Sequence, residues 1–475
     1  MKKKILLLVI FLIIVFFFGV FFITPLTLNK QDGFYYHLKS FVPESLKIFI
    51  KKNFIQSTLL KNKNIYLKES LDKIHNDYFV MRVSHQLDTI LNSEIISKKK
   101  NIYSLTKIIL PFDAQPAWKG KPSGYIEEYE DNLIISSGKG EFISIKFKDL
   151  NLNKLNFNLI KTNLTELIGF REFYMPGNYG IRDLKVIGEK IYVSYPKEIK
   201  PDCYNVSIIV ADINLKNLNF EEFFNFDKCL GEWGSTRSGG RIENYKENIL
   251  FSVGDYGLEA VQTTSQDTSH PFGKILLIDK DTKNYKLVSY GHRNAQGLFY
   301  DEENDVVIET EHGPDGGDEV NKIIVENDLK SNNYGWPISS YGFHYEATLE
   351  RHKKEKTLDM LKKWAPLHKS HKDYGFNEPL KNWTPSIGVS QITKINSSFY
   401  VKAENDFFVA ALGNNIPEGD MTIHHLSFNK NFNKIEFEDK IVIGERIRDI
   451  YFSKKNNLIL MILENSPALG ILKPL

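Results

Sequence analysis

Apolar runs, each opened by a polar turn residue, recur along most of the chain. "NLIISS" begins at Asn132, "KIYVSYP" at Lys190, "NILFSV" at Asn248, "DVVIET" at Asp305, "DFFVAAL" at Asp406 and "NLILMIL" at Asn457. A loop and a further apolar strand follow most of them. The starts lie 58, 58, 57, 101 and 51 residues apart. Six units at a period near 57 predict an all-β, six-bladed β-propeller over residues 105–475, because radial repetition leaves only short, protected sheet edges. The period is too long and too regular for a β-sandwich. The long interval carries an insertion, residues 343–380, rich in Lys and His. A ring of seven or eight blades is the alternative if that insertion hides a blade.

Two other patterns precede the repeat. "MKKK" leads into Ile5 to Ile23, a stretch with no charge that can span a hydrocarbon core of about 30 Å. It ends in "FFITPLTL", which lacks the small-x-small exit of a cleaved signal peptide. Residues 1–28 therefore read as a signal anchor, a single pass in a bacterial inner membrane with Lys2 to Lys4 in the cytoplasm and the propeller in the periplasm. Cleavage, leaving a secreted or periplasmic protein, is the alternative. Residues 29–104 place apolar positions at helical spacing, as in "LKESLDKIHNDYFVMRVSHQLDTIL", with Pro43-Glu44-Ser45 as a helix start. This predicts a helical juxtamembrane stalk whose basic face is solvated or touches anionic lipid.

Composition narrows the classes. The chain has 475 residues, net charge +2 and no basic cluster interleaved with aromatics, which argues against a nucleic-acid partner. Its two cysteines, Cys203 and Cys229, are 26 residues apart and lack CxxC spacing. In an exported chain an even pair predicts a disulfide, with two unrelated thiols as the alternative.

The candidate chemistry is concentrated in "GHRNAQGLFYDEENDVVIETEHGPDGGDEVNK", Gly291 to Lys322. Asp315, Asp318 and Glu319 lie in a Gly/Pro-rich turn with Gly313-Pro314. Carbonyls plus carboxylates at flexible spacing suit Ca²⁺, and a self-satisfied polar turn suits the same residues. Arg446 and Arg448 in "GERIRD" lie on one side of a strand and want either an anion or neighbouring acids such as Glu445 and Asp449. "NNYGWPISSYG", Asn332 to Gly342, is a rigid aromatic corner or a stacking wall for a flat ligand. The repeat places loops around Gly177-Asn178, Arg237 to Arg241, the Gly291 stretch and Glu445 to Asp449 on one face, converging on the axis.

Together "YGHRNAQGL", "EHGPDGGDEVN", "NNYGWPISSYG", "WTPSIG" and "GERIRD" resemble the soluble glucose/sorbosone dehydrogenases, the PQQ-dependent aldose sugar dehydrogenases. The resemblance implies a six-bladed propeller. It also implies pyrroloquinoline quinone and Ca²⁺ on the axis, and oxidation of a sugar at the anomeric carbon in the periplasm, with a membrane quinone or cytochrome as electron acceptor. Carried residue by residue, it puts Asn178, Arg241, Arg293, Asn294, Trp336, Arg446 and Arg448 at the cofactor. Gly313, Pro314, Asp318, Glu319 and Tyr334 fall at the metal.

The resemblance breaks at the base. The family places a His four residues before the Arg of its "GGR" turn, and here "TRSGGR" puts Arg237 there. A guanidinium stays protonated and cannot accept the anomeric proton. Asn178 stands where the family has Gln, and "GVSQ" follows "TPSI" in place of "APSG". Three functions are left open. The first is a quinoprotein with another base, His270, Glu232 or His312. The second is a catalytically impaired propeller that still binds cofactor, sugar or a protein. The third is a Ca²⁺-dependent lactonase-like hydrolase.

Overall fold

The computed structural model describes residues 90–112, 123–150, 156–168, 180–201, 203–231, 237–256, 263–325, 328–342, 371–400, 405–413 and 415–475. The chain enters through β1 (Ile90–Ile96) and β2 (Ile102–Ile109). Blade one is β3 (Gly124–Tyr129), β4 (Asn132–Ser137), β5 (Phe142–Lys146) and β6 (Asn158–Thr162), followed by the single-turn α1 (Leu164–Leu167). Blade two is β7 (Asp183–Ile187), β8 (Lys190–Lys200) and β9 (Cys203–Asp212). Short β10 (Asn217–Leu218) returns to β6, while β11 (Glu221–Phe224) and β12 (Leu230–Gly231) both pair with β9.

Blade three is β13 (Gly239–Tyr245), β14 (Asn248–Val253), β15 (Lys274–Asp279) and β16 (Tyr285–Tyr290). Blade four is β17 (Ala295–Asp301), β18 (Val306–Glu311), β19 (Asp318–Ile323) and β20 (Lys381–Trp383). Blade five is β21 (Val389–Ile395), β22 (Asp406–Ala411), β23 (Thr422–Phe428) and β24 (Ile435–Val442). Blade six combines β25 (Ile447–Ser453), β26 (Leu458–Leu463) and β27 (Ala468–Pro474) with the entering strands, in the order β1-β2-β27-β26-β25. Strands from the start and the end of the propeller thus share one sheet, which closes the ring.

The six repeat units seen in the sequence are the second strands of the six blades. Their uninterrupted apolar character has a simple cause. Each blade is sandwiched between two others, so odd and even positions of its second strand both face hydrophobic partners. Val307 packs toward blade three and Ile308 toward blade five. Met461 packs toward blade five and Leu460 toward blade one. Six clusters, one per blade interface, make up the core.

Two expectations change. Residues 90–104 do not extend a helical stalk, because β1 and the start of β2 lie there, β1 pairing with β2 and β2 with β27 in blade six. Their alternation is that of an outer blade strand, which helical periodicity mimics over a short window. The propeller therefore begins before residue 105. The expected anchor and the stalk up to residue 89 lie outside the described residues, as do residues 343–370 of the insertion. Among the described residues, no helix is long and apolar enough to cross a membrane. The insertion emerges between β19 and β20, returning through a 3₁₀ turn at His371–Tyr374. Cys203 and Cys229 are joined in a disulfide.

Candidate functional site

The innermost strands β3, β7, β13, β17, β21 and β25 line the axis, each beside the next. Four of them carry a register shift at their first residues: between Gly239 and Ile242, Ala295 and Gly297, Val389 and Ile392, and Ile447 and Asp449. A bulge re-aims the side chain it carries. Here the shifts fall at Arg241, Gln296, Ser390 and Arg448, all at one end of the channel. That is the end on which the sequence-predicted loops were expected to converge.

Four arginines gather at this mouth. Arg237 forms an ion pair with Asp255 at 3.6 Å. Asp255 also accepts the indole N–H of Trp336 at 2.8 Å. The Arg293 guanidinium sits over the Trp336 ring at 5.4 Å and donates to the carbonyl of His312 at 3.1 Å. Arg446 and Arg448 share one carboxylate, Glu464: Arg446 Nε donates to Oε2 at 2.9 Å and Arg448 Nε to Oε1 at 2.6 Å. Arg448 reaches Gln296 at 3.4 Å, and Gln296 donates to Asn294 Oδ1, which also receives the backbone N–H of Gly239. A continuous chain of contacts thus runs from Arg237 to Arg446. Four guanidiniums thus meet at this mouth in a mostly buried setting, with Asp255 paired to Arg237 and Glu464 shared by Arg446 and Arg448.

Arg241 is different. Its guanidinium donates to Asp183 Oδ1 at 2.8 Å, Asp449 Oδ1 at 2.9 Å, the Gln296 carbonyl at 2.6 Å and the Arg448 carbonyl at 3.3 Å, over the ring of Tyr125. It is 2% exposed. With every nitrogen engaged, it is a hub tying five blades together rather than an arm reaching a ligand.

The Gly-rich turn also divides. Asp318 is saturated by backbone: Gly313 N donates to Oδ1, and Ile387 N, Gly388 N and Val389 N donate to Oδ2. It fastens the turn to blade five. Glu319 Oε1 faces His371 Nε2 at 2.8 Å, and that carboxylate, with others nearby, raises the imidazole pKa against the effect of burial. Tyr334 donates its hydroxyl to the Lys322 carbonyl, and its ring stacks on His292. Gly313 packs so closely on the carbonyls of Gly316 and Gly317 that a Cβ would approach within 2.2 Å. Beside it lies a cavity of about 10 Å³, bordered by Glu311, Gly313, Pro314, Glu319, Tyr334 and His371, the size of one water or one cation. Gly313, Pro314 and Glu319 are the oxygen-bearing residues there that fit a hard cation. Asp318 and the Tyr334 hydroxyl are spent on structure.

Among the substitute bases, His270 sits against Asp267 at 3.5 Å and on the ring of Phe272, with its pKa lowered by burial and by Lys274. His312 lies beside the arginines. Burial is the first cause lowering its pKa to about 4, and Arg293, Arg448 and Arg446 add to it. It is therefore a neutral imidazole at pH 7. Asn178 and Glu232 lie outside the described residues. Sequence reasoning did not single out Glu464, Asp255, Gln296 or His371. Each is an ordinary polar residue whose role comes from cross-blade contact, and only Gln296, inside "GHRNAQG", carried a local signal.

The family model for glucose/sorbosone dehydrogenase matches residues 158–470, and the chain belongs to that family. An uncharacterized protein of Synechocystis is 30% identical over 264 residues, spanning 50% of this chain and 57% of that protein. The aldose sugar dehydrogenase YliI of Escherichia coli is 27% identical over 251 residues, spanning 50% of this chain and 60% of the other. The chain thus aligns with little more than half the length of these curated relatives. The apo crystal structure of the soluble E. coli aldose sugar dehydrogenase superposes with a TM-score of 0.58 at 18% identity, covering 82% of this chain and all of that one. The PQQ domain of pyranose dehydrogenase from Coprinopsis cinerea superposes at 0.51 and 13% identity, covering 74% and 92%. Both show the fold.

Proposed function

We propose that the protein is a quinone-dependent sugar oxidoreductase that binds PQQ and Ca²⁺ at the arginine-lined mouth, exported to the periplasm and held by its N-terminal segment near membrane electron acceptors. The observation that carries this reading is the gathering of four guanidiniums with the Trp336 ring at one end of the channel, donors and an aromatic wall that complement a flat tricarboxylate. Arg237, Arg293, Arg446 and Arg448 would hold the carboxylates, Trp336 would wall the ring, and Gly313, Pro314 and Glu319 would face the cation. The bound quinone would supply the two-electron acceptor for the sugar's anomeric carbon. Asn294, held by Gly239 N and Gln296, would orient the arginine side, and Asp255 would keep Arg237 and Trp336 in place.

One observation favours a second reading, a binding propeller without turnover. Arg237 occupies the position of the family base, is committed to Asp255 and cannot accept a proton. His312 is the imidazole that remains beside the arginines.

The test is a titration of the purified protein with PQQ, with and without Ca²⁺, followed by an aldose panel and an artificial acceptor. Ca²⁺-dependent binding with sugar-dependent bleaching supports the oxidoreductase. Binding without bleaching by any aldose supports the second reading. Absence of PQQ binding sinks both cofactor assignments.

A further inference from the structure

Blade four holds a second cluster, behind the Gly-rich turn. On β18, Glu309 and Glu311 are two residues apart and project to the same face. The β18–β19 register sets Asn321 opposite Glu309 and Glu319 opposite Glu311. His292, just before β17, closes the group. Glu309 and His292 are fully buried, Asn321 is 1% exposed and Glu311 3%. Like charges directly opposite across a strand pair repel, and burial multiplies the cost.

The compensation present is incomplete. Asn321 Nδ2 lies 3.1 Å from Glu309 Oε2, 3.2 Å from Glu311 Oε1 and 3.3 Å from Glu319 Oε2, so two amide hydrogens face three carboxylates. His292 Nδ1 lies 3.2 Å from Glu311 Oε1, while its Nε2 is engaged by the Ser289 hydroxyl at 2.8 Å. Arg293 N donates to Glu311 Oε2. Glu309 Oε1 and Asn321 Oδ1, both buried, have no hydrogen-bond partner among the described residues.

We propose that His292, Glu309 and Glu311 form a buried site for a divalent transition cation of the Zn²⁺ or Mn²⁺ class, with Asn321 Oδ1 available as a fourth ligand after an amide flip. One nitrogen and two carboxylate ligand atoms lie within 4.8 Å of one another, so a point exists about 2.8 Å or less from all three, and a contraction of several tenths of an ångström gives the usual 2.0–2.2 Å bonds. The imidazole ligand separates this site from an all-oxygen Ca²⁺ site at Gly313-Pro314. The orphaned Glu309 oxygen points to the ion, and Ser289 on the far nitrogen of His292 orients the ring as an outer partner does in metal sites. The proposal stands whether or not the mouth binds PQQ.

The test uses the full chain, stripped with chelator and titrated with ZnCl₂ or MnCl₂ in the absence of PQQ and with saturating CaCl₂. The expected result is one equivalent bound that Ca²⁺ does not displace, with a rise in thermal stability. Glu309→Gln, close to isosteric, should weaken that binding at least 10-fold. Anomalous scattering at the metal edge should place the ion between His292 and Glu309 in crystals of the wild-type chain, which decides the matter if the variant fails to fold. Absence of stoichiometric binding, a metal readily displaced by Ca²⁺, an anomalous peak elsewhere, or unchanged binding in Glu309→Gln overturns the proposal.

Discussion

Arg241 offers the sharpest test of how the axis is built. Replacing it with Met keeps the length and apolar body of the side chain but removes the one guanidinium between Asp183 and Asp449. The carboxylates keep backbone donors, Ile242 N and Leu184 N for Asp183 and Ile126 N for Asp449. Neither has another cation in hydrogen-bond range among the described residues. Breaking a buried pair by removing one partner costs about 3–5 kcal/mol. The lost bonds to the Gln296 and Arg448 carbonyls act in the same direction. Burial already raises the Asp449 pKa to about 6, so the orphaned carboxyls can take up protons as pH falls. Loss of Arg241 raises these carboxyls further, so the deficit of Arg241→Met shrinks as pH falls and is larger at pH 7 than at pH 5. The assay is guanidinium denaturation of the cofactor-free protein at both pH values. A triple variant, Asp183→Asn with Arg241→Met and Asp449→Asn, should recover a large part of the loss because no charge is left buried alone. A loss under about 1 kcal/mol at pH 7, coupled with abolished PQQ binding, would refute the hub and make Arg241 a ligand arm.

Other outcomes follow from the same geometry. Asp318→Asn keeps one oxygen for the three donors at Oδ2 but turns an amide donor against Gly313 N, and it removes the charge, so it should cost about 2–4 kcal/mol, read by denaturation; an unaffected midpoint would remove Asp318 from the turn's framework. Removing the Cys203–Cys229 bridge by a double Ser substitution should cost about 3 kcal/mol for a loop of 26 residues, and equal stability with and without reductant would count against it. Arg237→His should weaken PQQ binding about 10-fold or more through loss of a charge, and tighter binding would show that Arg237 repels the ligand. At the opposite mouth of the channel, burial raises the Glu127 pKa from 4.5 to about 8 against the opposing pull of Lys185, which lies 3.5 Å from Glu127 and 3.0 Å from Glu243. The folded state then holds this proton where the unfolded chain has lost it. The contribution is complete below pH 4.5 and disappears as pH rises through about 8. The stability of wild type relative to Glu127→Gln should fall between pH 5 and 8, and a flat difference would show Glu127 to be charged throughout.

The six apolar runs were legible because a strand flanked by two blades meets hydrophobic partners on both faces over most of its length. The repeat therefore showed in composition before any contact was known. The candidate metal turn and the arginine pair were legible for a related reason: glycines, prolines and spaced charges are local constraints. The entry of residues 90–109 into blade six was not, since pairing with β27 joins segments more than 360 residues apart and leaves no local trace. Nor could spacing divide the arginines. Arg241 and Arg448 look alike in sequence, yet Arg241 is enclosed by Asp183 and Asp449, while Arg448 shares Glu464 at the mouth. Asp318 and Glu319 are adjacent, but one is spent on four backbone donors and the other meets His371 from across the insertion. Periodicity encodes which faces are buried, whereas the job of a charged side chain depends on which distant blade supplies its counter-charge, and that is decided when the ring closes.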